Sequence, residues 1–328
     1  MFELIFYILV FLLSCGAFYF SGELIVNSLT RLAKFLKWKE FAVSFLIMAV
    51  VAAFPNLFVG IISALNNIPQ LSFADVLGGN VVDLTLAVAL AALFSQNGIP
   101  AQSRTIQITL SFTAIAAVLP VLLAWDGLVS RADGVILILF YLLYLIWLFS
   151  KKENFSKVCE ETPAQTKLHK KSNYYLFNAL KVAGAILIFL FAAQGIVSSA
   201  QYFAETFNWS LILIGLFIVS LGNSAPEIFF AITCAKKNNG WMILGDLMGA
   251  IIGSATFVLG IVALINPIEI KDFSPFAVAR FFTIFAIFFF FIFTKSDQRI
   301  SKKEAAFLLF LYIAFVIAEL FAKSHTIL

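Results

Sequence analysis

Charge is scarce in this chain. Only 12% of its 328 residues are Asp, Glu, Lys or Arg, against roughly 25% in a typical soluble domain. Histidine is nearly absent, with His169 and His325 alone, and the three cysteines, Cys15, Cys159 and Cys234, show no CxxC spacing. That scarcity excludes a zinc cage or a disulfide framework. The cysteines read as two small buried hydrophobes and one loop thiol. Neither HExxH nor GxSxG occurs, so nothing supports a metallo- or serine intramembrane protease. A nucleotide-binding motif is missing too. No enzyme, no resident cofactor and no nucleic-acid partner is expected.

What the chain has in abundance is hydrocarbon, since 62% of its residues are hydrophobic. Windows of about 20 residues nearly free of charge recur along it, the length that crosses a bilayer. The stretch from Phe2 to Phe20 lacks a basic n-region and a small-residue cleavage site, so it reads as a first span rather than a signal peptide. Ten spans are expected, at 2–30, 40–65, 72–95, 105–124, 131–150, 175–203, 209–235, 241–266, 274–294 and 303–322. The fold class is an all-α membrane protein, with the lipid bilayer as its solvent.

Basic residues in the connections set the orientation. Counted over alternate loops, they divide 17 to 4. The rich set includes Arg31, Lys34, Lys37, Lys39, the lysines of 151–171, Lys236, Lys237, Lys295 and Lys303; the poor set is Arg131, Lys271, Arg280 and Lys323. The rich set belongs in the cytoplasm of a multi-pass cell-membrane protein, with both termini outside. The polar connection 151–172, "KKENFSKVCEETPAQTKLHKKS", reads as a solvated cytoplasmic loop whose basic clusters attract anionic lipid.

An internal repeat runs at one constant offset. "KWKEFAVSFLIMAVVAAFPN" from Lys37 aligns with "NWSLILIGLFIVSLGNSAPE" from Asn208, so Trp38 and Trp209, Pro55 and Pro226, and Asn56 and Glu227 all lie 171 positions apart. "ADVLGGNVVDLTLAVAL" from Ala74 aligns with "GDLMGAIIGSATFVLGI" from Gly245 at the same offset, pairing Asp75 with Asp246, Asp83 with Ser254 and Thr85 with Thr256. The repeats fill 1–150 and 173–328, joined by the 151–172 loop. Five spans in each half force the second to enter the membrane from the opposite side. Inverted repeats are typical of secondary transporters, with the site near the midplane.

Within the repeat, "SLGNSAPE" sets a proline and a carboxylate at mid-membrane depth. Pro226 has no N–H and displaces the carbonyl four residues back, so carbonyls near Gly222 and Asn223 are expected to come free at a break in the helix. A simple kink would explain Pro226 alone, and an ion pair would explain Glu227 alone. Glu227 lies too far from either span end to snorkel, and an ionisable group there marks a functional site. Asn223, Ser224 and Glu227 are oxygen donors, the ligand type that hard cations such as Ca²⁺ and Na⁺ prefer. Asp83 lies mid-span with no nearby basic residue in sequence. Asp75 and Asp246 lie nearer span ends and are expected to matter less. Gly249 and Gly253 share a helix face with Asp246, and helix packing accounts for them equally well.

The segment "GNSAPE" resembles the G-[TN]-S-x-P-[ED] signature of the sodium/calcium exchangers, and "GDLMGAIIGSATF" resembles the segment that follows it in that family. The likeness covers essentially the whole chain and is sharper in the second half. It implies ten helices in two inverted five-helix repeats. It also implies antiport of Ca²⁺ against Na⁺ by alternating access, with inorganic cations as cargo. The central positions carry over to Asn56, Asp83, Glu227 and Ser254. Asn223, Ser224 and Thr256 complete the oxygen shell, Asp75 and Asp246 flank it, and Ala52 and Ala53 stand where the first signature's hydroxyls would be. An acid is missing at Asn56, and Asp83 partly offsets it. Two central acids predict about two monovalent ions per Ca²⁺ and a nearly electroneutral cycle. A proton/Ca²⁺ exchanger and a non-transporting ion-sensing or scaffold relative are the alternatives.

Overall fold

The structure is a computed structural model and describes residues 2–35, 53–150, 173–237, 240–270 and 273–325. Among them, nine helices are long and apolar enough to cross a membrane. In chain order the helices are α1 (Phe2–Phe35), α2 (Phe54–Leu65) and α3, which joins Pro69–Val81, a π-helical turn Val82–Ala87 and Val88–Phe94. There follow α4 (Arg104–Leu123), α5 (Arg131–Ser150), α6 (Asn173–Phe207) and α7, which joins Leu211–Ile214, a π turn Gly215–Val219 and Ser220–Lys236. The last three are α8 (Gly240–Ile252, π turn Gly253–Val258, Leu259–Ile265), α9 (Phe273–Ser296) and α10 (Lys302–His325). Most of the second expected span, and with it Trp38 and Ala52, lies outside the described residues, as do the 151–172 loop, Cys159 and His169.

The repeat persists in the backbone. The π turns of α3 and α8, Val82–Ala87 and Gly253–Val258, are offset by the same 171 at both ends. α5 and α10 begin at equivalent positions and carry the same cap. Ser130 and Ser301 each receive the N–H of the residue three on at 3.3 Å, and Asp133 and Glu304 reciprocate to the serine N–H at 2.8 and 2.7 Å. This is a capping box, which satisfies donors otherwise orphaned at a helix start.

Burial separates the layers. In α3 and α8, 78% of the most apolar window is buried, against 17% in α1. α3 and α8 are therefore central, while α1 pairs with α6 and turns a broad apolar face outward. The halves interleave: α4 and α5 pack on α8, and α9 and α10 pack on α3. Two short strand pairs, Ile99–Pro100 with Arg299–Ile300 and Leu128–Val129 with Ile268–Glu269, each join one half to the other.

α3 meets α7 at glycine. A Cβ on Gly78 would collide with the Leu216 carbonyl, and one on Gly215 would lie 2.8 Å from the Ala74 Cβ. The absent side chains permit this approach. Residue numbers rise together along the seam, from Ala74 beside Gly215, through Gly78 beside Ser220, to Gly79 beside Ser224. The two helices thus run parallel, as the third helix of one half and the second of an inverted half must.

Candidate functional site

The polar residues of the repeat converge where α2, α3, α7 and α8 meet. Ser220, Asn223, Ser224 and Glu227 follow one another at helical spacing on α7 and are all buried, as one face of a helix requires. Asp75, Gly79 and Asp83 form the matching stripe on α3. Pro226 does not break α7: the α-helix runs from Ser220 to Lys236 through it, and the irregular backbone is the π turn at Gly215–Val219, just upstream. One missing N–H removes a single rung, which a helix packed on both sides tolerates. In α2 the equivalent Pro55 sits in the first turn, where no N–H is needed.

Asn223 is the hub. Its side-chain nitrogen donates to Asp75 Oδ2 at 2.8 Å and to Asn56 Oδ1 at 3.1 Å, tying α7 to α3 and α2. The Ser224 hydroxyl faces Asp83. Across the centre, Ser254 on α8 donates to Asn80 Oδ1 at 3.4 Å, a marginal bond. Asn80 escaped the sequence reading, although "GGNVVD" sets it three residues before Asp83, on the same face. Thr256 turns to its own helix instead. It and Thr85 each donate to the carbonyl four residues back, pinning the two π turns.

Several buried acceptors lack donors. Asp75 Oδ1, Asp83 Oδ1, Asn223 Oδ1 and Glu227 Oε2 are buried and have no hydrogen-bond donor among the described residues. Asp83, Glu227 and Asp75 are only 6%, 8% and 1% exposed. The charges of Asp83, Asp246 and Asp75 all act on Glu227, and among the described residues no lysine or arginine faces it. Uncompensated charge in a low-dielectric interior costs several kcal/mol, and a bound cation relieves it. No three acidic, imidazole or thiol side chains among the described residues converge into a ready-made cage. A bound ion would therefore draw on amide and hydroxyl oxygens as well.

Position along a span and enclosure part company at one residue. Asp75 lies nearer the start of α3 than Asp83, yet it is the more buried of the two. α7 crosses over it, so depth along the chain does not measure enclosure. Its repeat partner Asp246 is only half-buried. Both Asp75 and Asp246 lie within electrostatic range of Asp83 and Glu227.

The sequence profile of the sodium/calcium exchanger protein family matches residues 6–150 and 178–321. An uncharacterized membrane protein of Methanocaldococcus jannaschii is 25% identical over 73% of this chain and 76% of its own length. The inner membrane protein YrbG of Escherichia coli is 23% identical over 81% of each. The sodium/calcium exchanger MaX1 of Methanosarcina acetivorans is 25% identical over 43% of this chain and 39% of its own. Among solved structures, the sodium-calcium exchanger NCX_Mj soaked with Na⁺ and Sr²⁺ superposes with a TM-score of 0.63 at 20% identity, covering 96% of this chain and 98% of that one. That likeness shows the fold. The matched profile spans both repeats and most of the chain, and the chain belongs to the sodium/calcium exchanger protein family.

Proposed function

We propose that the protein is a secondary antiporter that moves Ca²⁺ against Na⁺ by alternating access. The carrying observation is the set of buried acceptor oxygens on Asp83, Asn223 and Glu227 that lack donors at the junction of the two repeats. Glu227 and Asp83 supply charge, Asn56, Asn223, Ser224 and Ser254 supply neutral oxygens, and Asp75 and Asp246 flank them. Thr85 and Thr256 hold the π turns that aim these groups. Binding one Ca²⁺ or several monovalent ions neutralises the same carboxylates, so the two cargoes compete for one site, as antiport requires.

Sodium as the driving ion is supported by the names of MaX1 and NCX_Mj, both sodium/calcium exchangers. Protons are the second reading, because a carboxylate without a donor accepts a proton as readily as a metal ion. The lysine asymmetry supports both termini outside and the 151–172 loop in the cytoplasm. The deciding experiment is ⁴⁵Ca²⁺ uptake by proteoliposomes under an imposed Na⁺ gradient and, separately, an imposed pH gradient. Uptake driven by Na⁺ alone is expected. Uptake driven by pH alone would replace the driving ion, and no uptake under either would point to the non-transporting relative.

A further inference from the structure

In the second repeat a carboxylate, Glu227, follows the proline. In the first repeat that place holds an amide, Asn56. Asn56 is not isolated, because the Asn223 NH₂ group divides its two hydrogens between Asn56 Oδ1 and Asp75 Oδ2. Asp75 is 1% exposed and Asn223 3%. The second oxygen of Asp75 and the carbonyl oxygen of Asn223 are both buried without a donor among the described residues. The arrangement is confined to this seam: the residue equivalent to Asn223 is Ala52, which has no side-chain donor, and the equivalent of Asp75, Asp246, is only half-buried.

We infer that Asp75 supplies the carboxylate missing at position 56 and is a direct cation ligand, with Asn223 holding both ends of the pair in register. The inference rests on the reading of this junction as a cation site and assigns that site a residue its span position disfavours. A carboxylate and an amide on neighbouring helices thus share one donor. Each keeps a bond to Asn223, and Asp75 and Asn223 each retain one buried oxygen without a donor among the described residues, the acceptor type that suits a hard cation.

The carboxylate and the amide can be swapped isosterically. The readout is equilibrium ⁴⁵Ca²⁺ binding to purified protein in detergent, for the wild type, Asp75→Asn, and the double variant Asn56→Asp/Asp75→Asn. Asp75→Asn is expected to weaken Ca²⁺ binding about tenfold or more, the scale of a lost interaction with a charged group. The double variant is expected to return to within about threefold of the wild type, a non-additivity that contact through a shared partner produces. It restores one carboxylate and one amide around Asn223, so it carries the test even where Asp75→Asn alone does not fold. Unchanged Ca²⁺ affinity in Asp75→Asn, or a double variant that binds no better than Asp75→Asn or fails to fold, overturns the inference. A wild type that binds no Ca²⁺ also overturns it. Flux separates this from the proposed function: binding that follows the expected pattern without gradient-driven uptake would remove the antiporter reading and leave Asp75 in place.

Discussion

The seam between α3 and α7 and the seam between α2 and α8 are built from equivalent elements, yet they carry different chemistry. The first holds Asp75, Asp83 and Glu227, with Asn223 bonded to Asp75 and Ser224 facing Asp83. At matching places the second has Asp246, Ser254, Asn56 and Ala53. Its backbone approach is also looser: a Cβ on Gly253 would lie 3.2 Å from the Ala53 Cβ, whereas one on Gly78 would run into a backbone carbonyl. Equivalent helices therefore do not imply equal sharing of polar groups. A two-fold scaffold can concentrate its charge on one side while hydrogen bonds through a hub such as Asn223 reach the other.

The comparison breaks most sharply at the proline-linked pair. Glu227→Gln should abolish Ca²⁺ uptake by proteoliposomes, a loss of at least about a hundredfold, the scale of removing one member of a buried charged set. Asn56→Gln should cost far less. Equal losses would mean that both seams carry charge alike. At the π turns, Asp83→Asn should reduce uptake by about tenfold to a hundredfold, and Ser254→Ala should reduce it only slightly, because Ser254 makes marginal bonds at 3.4 and 3.3 Å.

Packing gives a smaller contrast. Gly78→Ala should destabilise the protein by about 1–3 kcal/mol, the ordinary cost of overpacking, read as a lower melting temperature in detergent. Gly253→Ala should shift it less, since Ala53 offers a methyl group rather than backbone. The smallest expected effect sharpens the symmetry. Ser130→Ala and Ser301→Ala should each cost about 1 kcal/mol, and by nearly the same amount, because the two capping boxes are alike. A large difference between them would show that the halves are not mechanically equivalent at their last helices.

Local residue patterns carried much of this to the reader of the sequence. Runs of apolar residues fix spans because the bilayer leaves backbone groups no partner but the helix itself. The offset between Trp38 and Trp209 and between Pro55 and Pro226 made the repeat visible, and five spans per half made it inverted. Glu227 and Asp83 stood out because charge at mid-span is costly. The course of α7 through Pro226 was not legible, since whether a lost hydrogen bond breaks a helix depends on the neighbours that hold it.

The sequence by itself determined the class, the two-fold plan and the acids that stand out as candidates, because burial in lipid penalises charge wherever it falls along a span. Tertiary structure alone decided which acids are enclosed together. Asp75 became the most buried of them because α7 crosses α3 at Gly78 and Gly215, and Asn80 entered the centre because Ser254 faces it. Those contacts join residues more than a hundred positions apart, between helices whose approach is set by the absence of a few side chains, and no periodicity along the chain encodes them.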